Sequence, residues 1–264
     1  MNMNDDRGAA PPAIEFHDIW KTFGSHSVLR GFDLSVKRGE ILFIIGTSGV
    51  GKSVAIKHLV GLLRPDSGRG RILLSGERVD QLGEQALYAV RRRCAMVFQN
   101  STLLDSMSVV ENVALPLLKH ERLSPTDARR AALDFLDQVH MAPFADQLPA
   151  MLSDGMRKRV AIARALTQRP ACVLFDEPTT GLDPVSARRV DALIKELATR
   201  LKVTCMVVSH DLTSIFSVAD RIALLYQGRV RALGTPGELR ESPDPVVGQF
   251  LRGLSQGPME TPGF

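Results

Sequence analysis

The sequence predicts an α/β protein with a mostly parallel sheet, an antiparallel β subdomain near the N-terminus and a helical subdomain inserted in the core. Three observations indicate this fold class: alternating strand patterns open the chain, short continuous apolar runs then alternate with helical patterns, and strand patterns are missing between residues 101 and 169. With 264 residues, 44% of them hydrophobic, the chain is long enough for one large domain.

The first strands show a period of two. Apolar residues alternate at Ile14 and Phe16 and again from Phe32 to Val36, which predicts half-buried antiparallel strands. Residues 1–13 contain no apolar segment, so we interpret them as a disordered tail rather than a signal peptide or anchor. The longest aliphatic or aromatic run, Ile41–Ile45, is far shorter than the roughly 18 residues that cross a bilayer.

Continuous apolar runs predict the parallel strands. Ile41–Ile45 ends in glycines and leads into apolar residues at helical spacing, a strand, loop and helix. Further strands are predicted at 95–98, 172–175, 205–208 and 222–225. The three cysteines lie in such runs without a C-x-x-C pair, and we interpret them as buried reduced thiols: Cys94, Cys172 and Cys205.

Helix signals replace strand signals in the middle of the chain. Ser124 and Pro125 form an N-cap and first-turn pair, and we interpret residues from about 101 to 169 as an inserted helical subdomain. Near the end, Thr235 to Glu238 has capping-box spacing, which predicts a short helix. Beyond Ser242, the density of proline and glycine indicates a tail.

The formal net charge of +4 raises the question of nucleic-acid binding. The densest basic clusters are residues 91–93 and 157–159, and no aromatic residues interleave with them. We therefore interpret both clusters as solvated helix faces or contacts with an anionic membrane surface, and we expect no nucleic acid among the partners.

A phosphate loop follows the first buried strand. Residues 46–53 fit G-x-x-x-x-G-K-[ST] between a strand and a helix, the context that the pattern requires. Backbone N–H groups of such a loop surround a phosphate, Lys52 reaches the β- and γ-phosphates and the Ser53 hydroxyl takes one Mg²⁺ position. The predicted ATP-binding residues are Gly46, Thr47, Ser48, Gly49, Val50, Gly51, Lys52 and Ser53.

Two carboxylates end a later apolar run. The spacing places Asp176 at the carboxyl edge of the sheet beside the phosphate loop, where it can hold Mg²⁺ through water. Glu177 is placed to orient and deprotonate a water that attacks the γ-phosphate. Without the phosphate loop, the same pair would be interpreted as an ordinary solvated strand end.

With these motifs in order, the chain resembles the ATP-binding cassette (ABC) ATPases over residues 14–240. The resemblance implies a P-loop NTPase (RecA-like) core in an ABC ATPase domain. It also implies that Phe23 stacks on adenine, that Gln99 contacts Mg²⁺ or water, and that His210 contacts the γ-phosphate. Asp183 would lie at a dimer interface. Each residue alone has an ordinary alternative, such as core packing or strand capping, and the ordered set favours the functional interpretation.

The remaining family motif is the signature segment, residues 152–156. In ABC proteins this segment binds the γ-phosphate of an ATP held by the other subunit, so one loop and one signature per chain imply a head-to-tail homodimer that encloses two ATP molecules. The signature residues expected to contact nucleotide are Ser153, Asp154, Gly155 and Met156.

Two signature residues depart from the usual Leu-Ser-Gly-Gly-Gln. Met156 replaces glutamine, and a Leu-Ser-Gly-Gly-Met form is typical of ATPases of MCE-type lipid transporters, including the Mla phospholipid system. Asp154 replaces glycine, and a carboxylate about 5 Å from a phosphate oxygen costs on the order of 3 kcal/mol per unit charge at an effective dielectric of 20. We predict that Asp154 points away from the phosphate, towards Arg157 or Lys158.

Residues 98–113 and the Gln249-Phe250-Leu251 ending that runs into Gly257-Pro258 also resemble Mla-type ATPases. In that subfamily, the C-terminal extension reaches the partner ATPase, so the resemblance implies that residues 241–264 dock there; a poorly ordered end is the alternative. The apolar residues that favour docking are Val246, Val247, Phe250 and Leu251.

The resemblance thus implies an ATP-hydrolysing subunit for phospholipid or lipid transport, peripheral on the cytoplasmic face of a bacterial inner membrane. Its implied partners are an integral membrane permease, which would bind near residues 101–113, an MCE-domain protein and a small regulatory subunit. An ATPase of another ABC importer, for amino acids or ions, stays open because it shares every catalytic residue. A non-transport ABC protein is disfavoured because the chain has one cassette and no long coiled-coil insertion, and a kinase or GTPase would not need the signature, Asp183 or His210.

Overall fold

A computed structural model describes residues 11–66 and 68–259. Most of the predicted N-terminal tail, residues 1–10, therefore lies outside the described residues. Ala13, assigned to that tail, is buried, and its N–H donates to the carbonyl of Val36 at 2.9 Å. The ordered domain thus begins at least one residue before the predicted boundary.

The described residues form ten strands and nine α-helices. The strands are β1 (Ile14–Phe23), β2 (His26–Val36), β3 (Ile41–Ile45), β4 (Arg71–Leu74), β5 (Glu77–Arg78), β6 (Cys94–Val97), β7 (Cys172–Asp176), β8 (Thr204–Val208), β9 (Arg221–Tyr226) and β10 (Arg229–Gly234). The helices are α1 (Lys52–Leu59), α2 (Glu84–Arg93), α3 (Val109–Pro116), α4 (Pro125–Gln138), α5 (Asp154–Leu166), α6 (Pro184–Leu201), α7 (Leu212–Val218), α8 (Pro236–Arg240) and α9 (Pro245–Arg252).

Two sheets confirm the predicted fold class. The smaller sheet has the order β2-β1-β4-β5 and is antiparallel, with Ile14 opposite Val36 and Phe16 opposite Leu34. The larger sheet has the order β10-β9-β3-β8-β7-β6, in which only the β10 edge strand is antiparallel to its neighbour. The three cysteines lie on the adjacent strands β6, β7 and β8 and are buried free thiols.

Strand β3 is buried on both of its faces. Ile41, Phe43 and Ile45 pack in a core shared with the helical insert and α6, whereas Leu42 and Ile44 pack in a second core with the antiparallel sheet and α1. Because successive side chains point to opposite faces, a strand covered on both sides requires an unbroken apolar run. This burial fixes the position of the loop that follows β3.

The segment between β6 and β7 is helical throughout its regular structure. It contains α3, α4 and α5, a π-helical turn at Leu117–Glu121 and 3₁₀ turns at Ala142–Phe144 and Pro149–Met151. Ser124 caps α4 as the sequence predicts, with its hydroxyl accepting from the N–H of Asp127. Thr235 likewise caps α8 with a capping box.

The predicted tail beyond Ser242 is wrong for the described residues up to 259. Asp244 caps α9, and Val246 and Val247 are buried in the core of their own chain, where Phe250 and Leu251 also pack. Burying such side chains contributes about 1.5–3 kcal/mol each, which offsets the entropy of ordering the segment. The apolar residues that suggested docking on another subunit thus attach the segment to its own domain.

The side-chain amide of Gln249, within α9, holds the residues that follow this helix in place. Its nitrogen donates to the carbonyls of Leu254 and Met259, both at 3.3 Å, and its oxygen accepts from the N–H of Met259 at 2.6 Å. Met259 is buried at the end of this loop. Residues 254–259 therefore fold back over α9.

Candidate functional site

The candidate functional side chains lie at the carboxyl ends of three adjacent parallel strands. The loop after β3 carries the phosphate-loop pattern, β7 ends at Asp176, and β8 is followed by Ser209 and His210. In an open α/β sheet, ligands bind outside the carboxyl ends of the strands. The topology therefore brings together residues that lie up to 164 positions apart, from Gly46 to His210.

The phosphate loop needs glycine at both of its ends. Gly46 has φ +146°, and a Cβ there would lie 2.4 Å from the carbonyl oxygen of Leu225. Gly51 has φ +110°, and a Cβ there would lie 2.9 Å from a methyl group of Val28. The loop therefore lies close against the Leu225 carbonyl at one end and against Val28 of β2 at the other, immediately before α1 begins.

Lys52, at the start of α1, is folded into the loop. Its Nζ donates to the carbonyl oxygens of Gly46 at 2.8 Å and Thr47 at 2.9 Å. Burial lowers the pKa of Lys52 below its ordinary value, while the carboxylates of Glu177 and Asp176 act in the opposite direction. The cation is thus held among the backbone groups where a phosphate is expected.

Ser53 and Asp176 meet directly. The Ser53 hydroxyl donates to Oδ1 of Asp176 at 2.5 Å, and Lys57, one turn further along α1, lies 3.7 Å from Oδ2. Asp176 is 6% exposed. The structure thus joins two of the three predicted metal ligands. It also places the Lys57 ammonium beside Asp176, a contact that the sequence pattern did not indicate because a lysine in a helix usually faces solvent.

Glu177 and His210 face each other across the strand ends. His210 Nδ1 lies 3.6 Å from Glu177 Oε1, and the Thr180 hydroxyl donates to Glu177 Oε2 at 3.0 Å. Glu177 has φ +51°, a left-handed conformation that costs a non-glycine residue energy. Its N–H donates to the carbonyl of Val208, which holds that backbone geometry in place.

Phe23 lies at the end of β1 and is 45% exposed, so it is not a core residue. The Lys21 ammonium lies 5.4 Å from the centre of its ring. The adjacent start of β2 and the phosphate loop line a cleft of about 730 Å³, with Tyr226, Gln227, Gly228 and Pro258 on its other side. An exposed aromatic beside such a cleft is suited to stacking on a flat heterocycle.

The segment that follows β6, residues 99–102, is held by cations of α5. Lys158 Nζ donates to the carbonyl of Gln99, while Arg164 donates to the carbonyls of Ser101 at 3.3 Å and Thr102 at 2.9 Å. Lys158 is 4% exposed, and burial lowers its pKa below the ordinary value. The interpretation of residues 157–159 as a solvated or membrane-facing cluster is therefore wrong for Lys158, whose ammonium binds a backbone oxygen within the protein.

The signature segment leads into α5. Ser153 is the N-cap of this helix and accepts from the N–H of Met156 at 3.4 Å. Asp154 forms an ion pair with Arg157, one of the two partners predicted for it. Gly155 lies against α6, because a Cβ there would be 3.2 Å from Cβ of Ser186.

Within one chain, the signature and the phosphate loop line different clefts. Asp154 borders a cleft with Gln99, Lys158, Thr180 and Gly181, whereas residues 47–50 border the cleft beside β2. Asp183 is exposed and caps α6 by accepting from the N–H groups of Val185 and Ser186, each at 3.0 Å.

A phosphate loop after a central parallel strand, with two carboxylates at a nearby strand end, defines an α/β ATPase of the phosphate-loop class. The chain belongs to the ABC transporter family, whose model matches residues 29–180. It is an ATP-hydrolysing subunit of that transporter type.

Individual relatives agree with this family. The chain is 37% identical over 246 residues to the intermembrane phospholipid transport ATP-binding protein MlaF of Escherichia coli K12, covering 93% of this chain and 91% of MlaF. It is 41% identical over 247 residues to the methionine import ATP-binding protein MetN of Rhizobium johnstonii, covering 93% of this chain and 67% of MetN.

The fold also matches a solved structure of the ATP-binding cassette MJ0796, a dimer in a post-hydrolysis state bound to ADP and Pi. The TM-score is 0.76 at 31% identity, covering 84% of this chain and 98% of that chain. Among the described residues of this chain, no helix combines the length and the apolar character needed to span a membrane.

Proposed function

We propose that the chain powers phospholipid transport as a homodimeric ATPase on the cytoplasmic face of a bacterial inner membrane. Its partners would be an integral membrane permease, an MCE-domain lipid-binding protein and a small regulatory subunit. The observation that carries the lipid assignment is Met156 in the signature. The likeness to MlaF across most of both chains supports it.

Mg²⁺ fits the oxygen donors beside the phosphate loop. Ser53 and Asp176 offer a hydroxyl and a carboxylate whose oxygens are 2.5 Å apart, and hard oxygen donors are the ligands that Mg²⁺ prefers. We assign these two residues and Gln99 as the groups that hold it. When bound, Mg²⁺ would neutralise charge on the β- and γ-phosphates.

The protein's own groups perform the remaining steps. The N–H groups of residues 46–53 and Lys52 bind and orient the phosphates, and Phe23 stacks on adenine. Glu177 accepts the proton of the attacking water, and His210, 3.6 Å from its carboxylate, contacts the γ-phosphate. Thr180 fixes the rotamer of Glu177 through its hydrogen bond to Oε2.

A second chain completes each site. Because Asp154 of the signature and residues 47–50 border different clefts, a head-to-tail dimer would place the signature of one chain over the phosphate loop of the other. Asp183, exposed at the N-terminus of α6, would lie at that interface. Binding energy for ATP would favour the closed dimer, and hydrolysis would reopen it.

An ATPase for an amino-acid importer is the second candidate, and the 41% identity to MetN favours it. Both candidates share the phosphate loop, Asp176, Glu177 and His210. They differ in the permease, which would bind near residues 101–113. The signature methionine is the feature that favours the lipid system.

Affinity purification from detergent-solubilised membranes tests the assignment. The full chain would be tagged, and co-purifying proteins and lipids would be identified by mass spectrometry. We expect an integral permease, an MCE-domain protein and bound phospholipid. Recovery of an amino-acid permease without an MCE-domain protein would contradict the lipid assignment and leave the ATPase assignment intact.

A further inference from the structure

Arg188, on the second turn of α6, joins two carboxylates on different elements. Its Nη1 lies 3.1 Å from Oδ2 of Asp191, and its Nη2 donates to Oδ2 of Asp211 and to the Ser214 hydroxyl, the latter at 3.0 Å. The Ser214 oxygen is 2.8 Å from Asp191 and 2.9 Å from Asp211, so its single proton serves one carboxylate at a time.

The network links two elements that begin at the candidate site. Helix α6 starts at its cap Asp183, and α7 starts at its cap Asp211, the residue after His210. Asp211 Oδ1 accepts from the N–H groups of Thr213 and Ser214, while its own N–H donates to the Ser209 hydroxyl at 3.1 Å. Both neighbours of His210 are thereby fixed.

The side chain of His210 makes few contacts that would fix its orientation. Its side chain is 59% exposed, and its charged neighbour is the Glu177 carboxylate at 3.6 Å. The direction of the imidazole therefore depends on the backbone between Ser209 and Asp211. Asp211 in turn depends on Arg188, the cation that contacts its carboxylate.

The charges of the network do not balance. Two carboxylates share one guanidinium, and Asp191 is 4% exposed. Burial raises the pKa of Asp191 above its ordinary value, against the hydrogen bond from Ser214 and the charge of Arg188. Well-packed apolar residues would join α6 and α7 at no such desolvation cost, so stability alone does not account for this arrangement.

We propose that Arg188 is a positioning residue for ATP hydrolysis, which ties the loop of His210 to the helix that starts at Asp183. The inference rests on the proposed function, because it requires His210 to contact the γ-phosphate. A displacement of the N-terminus of α6 at the dimer interface then moves Asp211, and with it the imidazole.

The first test compares ATPase kinetics of the full chain and three variants. Arg188→Met should lower kcat about tenfold with the KM for ATP changed less than about threefold, because a positioning residue acts on the transition state. Arg188→Lys should restore part of kcat, since lysine keeps the charge without the planar fork. Arg189→Met is the matched control on the next, exposed position, and it should retain kcat within about twofold.

A double-mutant cycle with His210→Ala separates positioning from general destabilisation. In the His210→Ala background, Arg188→Met should cause no further loss of kcat beyond about twofold, because the group through which it acts is already absent. Full additivity of the two losses, or wild-type kcat in Arg188→Met, would overturn the proposal. Circular dichroism at the assay temperature would confirm that each variant is folded.

Ser214→Ala provides a second route if Arg188→Met fails to fold. It removes the hydroxyl shared by the network, and it should lower kcat less than Arg188→Met would, again without effect in the His210→Ala background. Additive loss in this variant would overturn the inference. If His210→Ala itself leaves kcat unchanged, the proposed role of His210 fails, and the present inference fails with it.

Discussion

Asp154 and Arg157 form an ion pair within the first turn of the signature helix. The pair joins the residue that departs from the family glycine to the cation three positions later, on the same helix face. The Arg157 guanidinium reduces the net negative charge that the Asp154 carboxylate adds at the N-terminus of α5. The pairing would thus allow the substitution in the proposed composite site, where this segment would contact a phosphate.

The first prediction concerns this pair. Asp154→Gly should change ATPase activity by less than about threefold, because Arg157 already neutralises the carboxylate and exposed pairs contribute little energy. Arg157→Met alone should lower the ATPase rate, since it leaves Asp154 unpaired and removes the donor to the Leu152 carbonyl. The double variant should recover the part of that rate which the unpaired carboxylate costs. A more than tenfold increase in the steady-state ATPase rate of Asp154→Gly would show instead that the acid opposes dimer closure.

Lys158 gives a second prediction. Lys158→Met keeps the volume of the side chain and removes the donor to the Gln99 carbonyl, so residue 99 should lose its fixed position and kcat should fall about tenfold. Arg159→Met is the control, because Arg159 contacts the carbonyl of Val139 in the helical insert instead. Equal kcat values for the two variants would remove Lys158 from this role.

The phosphate loop supplies a third prediction. Gly46→Ala should abolish measurable ATP binding, because its Cβ would overlap the carbonyl oxygen of Leu225 and the loop would have to move. Gly83→Ala is the control, since a Cβ there meets no atom within 4 Å and its φ of −70° suits any residue. Isothermal titration calorimetry with ATP measures both; tight binding by Gly46→Ala would contradict the packing described.

The amide of Gln249 supplies a fourth. Gln249→Leu removes the three hydrogen bonds that hold residues 254–259, so amide exchange in that segment should become faster by at least about tenfold. Gln256→Leu, at an exposed position of the same segment, is the control. Unchanged protection in Gln249→Leu, measured by hydrogen exchange and mass spectrometry, would show that Met259 burial and the hydrogen bond from the Tyr226 hydroxyl to the Pro258 carbonyl hold the segment without the Gln249 amide.

Local patterns were sufficient to predict the part of the fold that carries the chemistry. The run from Ile41 to Ile45, the glycines after it and the helix from Lys52 are specified by neighbouring residues, and the cap at Ser124 is equally local. Asp176 could be placed because β7 is a continuous apolar run.

Other features depend on contacts between distant segments. The burial of Lys158 requires Gln99, 59 positions earlier, and the role of Arg188 requires Asp211, 23 positions later. The order of charged residues along the sequence cannot distinguish a lysine that faces water from one that donates to a carbonyl within the protein. Helix α9 was missed for a similar reason: its proline and glycine content indicated a tail, whereas the burial of Val246 and Val247 decides its structure.

The most direct test of the account is the behaviour of Glu177→Gln with ATP and Mg²⁺. Loss of the proposed general base should lower kcat at least about 100-fold while leaving ATP binding intact, so the variant should elute as a dimer with two bound ATP molecules in size-exclusion chromatography with light scattering. Turnover equal to that of the unmodified chain, together with a monomer in the presence of ATP, would contradict both the role of Glu177 and the composite site formed by two chains.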